Sequence, residues 1–166
     1  MSARDPAIDI QAASWSDDRP AIEFVRRKVF IEEQHVPEHE EWDEYDPLCR
    51  HVLAMTKNRD AVGTGRLDAT GKIGRVAVLP QYRGAGVGNA VMRYLVDLAR
   101  DSGLTEAYLN AQTTATGFYE RLGFRTEGPE FDEAGIPHKR MRLWIGRTND
   151  AQARRDRSKE HPVDAG

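Results

Sequence analysis

The residues with the clearest chemical purpose are three glycines at alternate positions, in Arg83-Gly84-Ala85-Gly86-Val87-Gly88-Asn89. Glycine has no Cβ, so a ligand can approach the main chain closely. The turn opens into a helix, whose first amides lack partners and whose dipole end is positive. Together these bind phosphate. A Walker A loop would need Lys-Ser/Thr after the last glycine, but Gly88 is followed by Asn89-Ala90, which argues against an NTPase. A dinucleotide fingerprint fits Gly84 and Gly86, yet Asn89 stands where its third glycine belongs, and no βαβ unit opens the chain.

A second candidate stretch is acidic, running from Glu32 to Asp46 and interrupted by Pro37, Trp42 and Tyr45. Two readings stand. It is a solvated acidic loop, or it lines a site for a cationic substrate, with Trp42 and Tyr45 as cation–π walls. His35 and His39 are four apart, but Pro37 between them argues against a shared helical face, so no metal site is expected. Cys49, the single cysteine, reads as a partly buried thiol rather than a nucleophile.

The elements that must position these groups follow from hydrophobic period. Ala7 to Ala13 reads as a strand. Ser16-Asp17-Asp18 offers cap oxygens, and Ile22, Val25, Val29 and Phe30 carry a helix to about Glu33. His51–Met55 and Val62–Leu67 form a hairpin pattern across Lys57-Asn58-Arg59-Asp60. The strand Ile73–Val78 ends at Pro80. Val87, Val91, Leu95 and Leu98 keep helical period up to a C′ glycine at Gly103. A short strand Ala107–Leu109 follows, so strand–helix–strand predicts a right-handed parallel crossover. Gln112-Thr113-Thr114 caps a short helix through Leu122, closed by Gly123. A last hairpin turns between Asp132 and His138, its second strand starting at Lys139. The order β-α-β-β-β-α-β-α-β-β predicts an α/β class of α+β type, a mixed sheet with helices on its faces.

At 166 residues one domain is expected over residues 1–147, with a polar tail over 148–166. A net charge of −3 argues against a nucleic-acid partner. No apolar run approaches the ~18 residues of a membrane span, and the first residues lack the apolar core of a signal peptide. The lone cysteine agrees with a reducing cytoplasm.

Arg83-Gly84-Ala85-Gly86-Val87-Gly88 resembles the R-x-x-G-x-G turn of the GNAT superfamily of N-acetyltransferases. Downstream, Gln112 through Phe118-Tyr119-Glu120-Arg121-Leu122-Gly123-Phe124 resembles that superfamily's second signature, with Gln112 where asparagine is commoner. Arg26 through Val29-Phe30 to Glu33-Gln34, Gly74-Arg75-Val76 and Gly135-Ile136-Pro137-His138 are similar to segments of its ElaA-like branch. The likeness runs from about Arg26 to Leu143.

The resemblance implies a GNAT fold with a mostly antiparallel central sheet, and acetyl-CoA as cosubstrate with no metal. It implies that Val76, Ala77 and Val78, the turn Arg83, Gly84, Ala85, Gly86, Val87, Gly88 and Asn89, and Gln112 and Phe118 hold the cosubstrate. A main-chain amide near Val78 would meet the thioester oxygen, and Tyr119 would protonate the leaving thiolate. Deprotonating the acceptor, a primary amine with a pKa of roughly 10, costs about 4 kcal/mol at neutral pH, so a base is needed. Glu33 is the first candidate and His138 the second. Arg26, Trp42, Asp43, Asp46 and Arg75 are the expected acceptor contacts. The expected partner is a small, cationic amine, with a homodimer left open. Two alternatives stand beside direct transfer in a ternary complex: a CoA-binding sensor without turnover, and an acyltransferase for longer chains.

Overall fold

The computed structural model describes residues 7–146. The tail expected over 148–166 lies outside the described residues. β1 (Asp9–Ala13) leads into α1 (Trp15–Arg26). The cap of α1 is Ser14, earlier than the expected Ser16. Its hydroxyl accepts from the Asp17 amide at 3.2 Å, and the Asp18 carboxylate accepts from the Ser14 amide at 2.8 Å. This reciprocal pairing satisfies two donors at once. Arg27–Glu33 continues the helix as wider π turns, and α2 (Glu38–Glu41) follows within the acidic stretch.

β2 (Arg50–Met55), β3 (Ala61–Leu67) and β4 (Ile73–Val78) complete an antiparallel sheet of order β1-β2-β3-β4. α3 (Val87–Asp101) packs on it through Val87, Val91, Met92, Leu95 and Ala99, all buried. A Cβ at Gly65 in β3 would come 2.7 Å from Leu95 Cδ1, so glycine is what lets α3 sit this close to the sheet. Full burial of a side chain such as Leu95 contributes about 1.5–3 kcal/mol.

β5 (Glu106–Gln112), α4 (Thr116–Arg121), β6 (Arg125–Glu133) and β7 (Ile136–Trp144) build a second antiparallel sheet of order β5-β7-β6. The mostly antiparallel α+β arrangement is the expected one, but the pairing divides it. Among the described residues the parallel crossover reduces to one bridge, Lys72 with Tyr108, where the Tyr108 amide donates to Gly71 O at 3.0 Å. Beyond that bridge β4 and β5 no longer pair, and a cleft opens between them. The last hairpin is tighter than expected. Ala134 and Gly135, both at positive φ, make a two-residue turn that twists with its strands, so His138 sits inside β7.

Candidate active site

The cleft encloses about 1050 Å³ between the edge of β4 and the face of β5 and β7. The glycine turn stands at one end. Gly84 and Gly86 have φ of 80° and 86°, and a Cβ on either would meet no protein atom within 4 Å. Both therefore face open space that a side chain would begin to fill. Gly86 caps α3 without a side-chain oxygen, and Ala90 makes the first amide bond back to it, at 3.0 Å. The amides of Val87, Gly88 and Asn89 thus start the helix without intrahelical partners. Gly88 is kept small by Phe118, whose Cζ lies 3.3 Å from the position of a Cβ. A diphosphate fits such a cradle.

On the β4 side, Leu79 N–H donates to Val62 O in β3 at 2.9 Å. The period-two alternation of a strand then turns the Val78 amide away from β3 and toward the cleft. The Val78 carbonyl, on the same side, accepts from Arg83 Nε at 2.9 Å. Earlier in β4, Arg75 and Val76 together oppose Gly65, a bulge that holds Arg75 at φ 52°. Gly74, Val76, Ala77 and Val78 line the cleft.

Tyr119 lines the cleft from α4, its ring edge-on to Phe118 and Phe124 at 5.0 and 6.0 Å. Burial pushes its phenol up to about 12. Gln112, ending β5, donates from Nε2 to Gln34 Oε1 at 2.8 Å and ties the two sides of the cleft together.

The two base candidates part company. Glu33 is held by Arg83 through Nη1 at 2.7 Å and Nη2 at 2.6 Å, and that hydrogen bonding lowers its pKa. It is absent from the cleft wall, which Gln34 lines instead. His138 lines the wall, 6% exposed, with Nδ1 2.6 Å from Ile136 O.

The expected acceptor contacts need correction. Arg26 and Asp46 are fully buried. Arg26 binds Glu41 at 2.8 Å and Asp46 at 2.7 Å, and Arg66 binds Asp46 at 2.6 Å and Asp43 at 2.7 Å. Arg75 lines the cleft, but its guanidinium is pinned to Glu41 and Asp43, each at 3.2 Å. Trp42 carries its own cations, Arg26 and Arg27, at 5.1 and 5.6 Å from its ring. The acidic stretch is thus divided: Glu32, Glu33, Glu38, Glu40 and Glu44 are exposed, while Glu41, Asp43 and Asp46 form an internal ion network that ties Glu41–Asp46 to β3 and β4. Burial opposes the charge on Asp43, but Arg66 and Arg75 outweigh it and hold the carboxyl at about 2. Burial lifts Glu41 in spite of its arginines, and it lifts the Cys49 thiol.

The family model for the acetyltransferase (GNAT) domain matches residues 13–145. The chain belongs to the GNAT acetyltransferase family. The uncharacterized protein YyaT of Bacillus subtilis is 43% identical over 129 residues, 74% of this chain and 86% of that one. The uncharacterized N-acetyltransferase YjcF of the same organism is 42% identical over 122 residues, 71% and 86% of the two chains. Escherichia coli ElaA is similar in structure, with a TM-score of 0.73 at 27% identity over 81% of this chain and 99% of its own. GNAT members use acetyl-CoA, and the open glycine cradle and free α3 amides suit its pyrophosphate.

The GNAT cleft also holds residues to which motif reading gave no site role: Gln34, Lys72, Tyr108, Asn110 and Glu133. A signal for some of them existed. In β5 the polar Tyr108, Asn110 and Gln112 alternate with the buried Ala107, Leu109 and Ala111, a period-two pattern over seven residues that the shorter expected strand cut off. Among the described residues no group of three His, Cys, Asp or Glu could hold a metal, and no helix is long and apolar enough to cross a membrane.

Proposed function

We infer that the protein moves an acetyl group from acetyl-CoA to the primary amine of a small acceptor, directly, within a ternary complex. One observation carries this reading: the glycine cradle, the cleft-facing Val78 amide, Tyr119 and His138 share a single cleft. Gly84, Gly86 and the amides of Val87 to Asn89 are suited to hold the pyrophosphate. The Val78 amide is suited to donate to the thioester oxygen as charge grows there. Tyr119 keeps its proton throughout the neutral range, as the donor to a leaving thiolate must.

His138 takes precedence over Glu33 as the base. It faces the cleft, whereas the Glu33 carboxylate is already committed to Arg83. A cationic acceptor draws no support from Glu41, Asp43 and Asp46, whose charge is met internally by Arg26, Arg66 and Arg75. Incubation with acetyl-CoA and a panel of primary amines, read by thiol release and product mass, tests the reading. Tight acetyl-CoA binding without turnover on any amine would make the protein a binding module instead.

A further inference from the structure

His138 and Glu133 face each other across the wall of the cleft. Nδ1 of His138 lies 2.6 Å from Ile136 O, an oxygen that can only accept, so the neutral ring carries its proton on Nδ1 and a lone pair on Nε2. Nε2 in turn lies 3.5 Å from Glu133 Oε2. A lone pair and a carboxylate oxygen at that separation are two acceptors that call for a shared donor. Asn110 Nδ2 donates to the other Glu133 oxygen, Oε1, at 3.4 Å, and Phe131 stacks on the imidazole at 6.0 Å. Of the other carboxylates lining the cleft, Glu40 is exposed with only His39 near it among the described residues, at 4.0 Å, and sits on the α2 side away from His138, while two are occupied. Glu41 is bound to Arg26 and Arg75, and Asp68 accepts from the amides of its own turn. Among the described residues Glu133 has no arginine or lysine partner, and its side chain is 47% exposed.

We propose that Glu133 is the acceptor-binding carboxylate of the cleft: it receives the ammonium of a primary alkylamine and holds it against Nε2 of His138. A primary ammonium brings three N–H donors and a positive charge, enough to satisfy both acceptors at once. This rests on the acetyl-transfer reading and adds to it the acceptor's class, an alkylamine protonated at neutral pH. In the step that follows, Nε2 takes one proton from the ammonium, and the imidazolium so formed is neutralised by the Glu133 carboxylate. The freed nitrogen lone pair forms the bond to the acetyl carbon. The carbon–sulfur bond breaks, the sulfur receives the Tyr119 proton, and the phenolate recovers one from the new amide nitrogen. His138 then releases its proton to water, so one proton leaves per amide made.

The test uses two acceptors of similar shape, benzylamine, which is protonated at neutral pH, and O-benzylhydroxylamine, which is not. Thiol release from acetyl-CoA is followed for the wild type and for Glu133→Gln, which keeps the shape and the Asn110 contact. Loss of one charge-assisted contact is expected to lower kcat/KM for benzylamine on the order of tenfold or more. The rate with O-benzylhydroxylamine should stay within about twofold, and acetyl-CoA affinity should not change. Equal loss with both acceptors would mean that Glu133 only shapes the site, and retention of both rates would mean that it holds nothing; either overturns the proposal. A wild type that acetylates no amine would overturn the transfer reading itself and this proposal with it.

Discussion

Arg83 reaches back from the glycine turn and grips both carboxylate oxygens of Glu33, at 2.7 and 2.6 Å, while its Nε donates to Val78 O at 2.9 Å. The arginine of the cradle thereby disarms the first candidate for the base. A carboxylate in a two-pronged arginine contact is a weaker proton acceptor than a free one. Glu33→Gln is therefore expected to keep kcat within about threefold. A fall in the range of general-base loss, roughly 10²–10⁴-fold, would return Glu33 to the catalytic role.

Gly86 and Gly103 make a matched pair for testing the cradle. Both have positive φ, 86° and 83°, and at both a Cβ would meet no protein atom. Alanine at either costs about 1–2 kcal/mol of backbone strain, so thermal melts should drop similarly. Only Gly86 faces the proposed pyrophosphate site. Gly86→Ala should weaken acetyl-CoA binding at least about tenfold by calorimetry, with Gly103→Ala at wild-type affinity. Equal affinities would remove the cradle from the site.

Tyr119→Phe keeps the ring against Phe118 and Phe124 and deletes only the hydroxyl. Loss of a general acid costs roughly 10²–10⁴ in rate, while acetyl-CoA affinity should stay near that of the wild type. Because the phenol is lifted to about 12, the wild-type rate should show no alkaline limb from this group below about pH 11. Parallel loss of rate and affinity would assign Tyr119 to packing.

Arg26 has no exposed surface, and its guanidinium is shared between Glu41 and Asp46. Removing it takes one of the two arginines from each of two buried carboxylates, leaving Asp46 with Arg66 and Glu41 with Arg75, and breaking such a buried network costs about 3–5 kcal/mol. Arg26→Met should lower the denaturant midpoint accordingly. A change below about 1 kcal/mol would show that the network relaxes around the gap.

Asp43 gives the network a pH signature. Its folded pKa of about 2 lies below the ordinary 3.8, so folding favours the ionised form. The stability gained is fully present above about pH 5 and is lost as pH falls through 4 toward 2, by about 2 kcal/mol. Glu41, lifted by burial, works in the opposite sense, so the comparison must be made by variant. Asp43→Asn should flatten unfolding free energy between pH 5 and 2 relative to the wild type; an unchanged slope would count against the ion pair.

Much of the fold was legible because it is local. Helical period marked α3, its glycine stop and the short α4, and alternation with turn residues marked the β2–β3 hairpin. The cradle was legible for the same reason: a phosphate-binding turn is built from consecutive main-chain groups, so its composition is its geometry.

The split of the sheet was not legible, because one parallel bridge at Lys72 and Tyr108 satisfies the same strand order as a full parallel pair. The acidic stretch misled for a physical reason too. Its neutralising arginines, Arg26, Arg66 and Arg75, come from three separate elements, and no run of residues reveals which distant charge will be buried against it. Nor could helical spacing decide which residue at the end of the first helix meets the cleft, since each π turn absorbs one more residue than an α turn and hands the wall to Gln34. The chemistry of the family lay in short motifs along the chain; the proposed base and acceptor carboxylate came into view only when β5, β6 and β7 brought Asn110, Glu133 and His138 to one face.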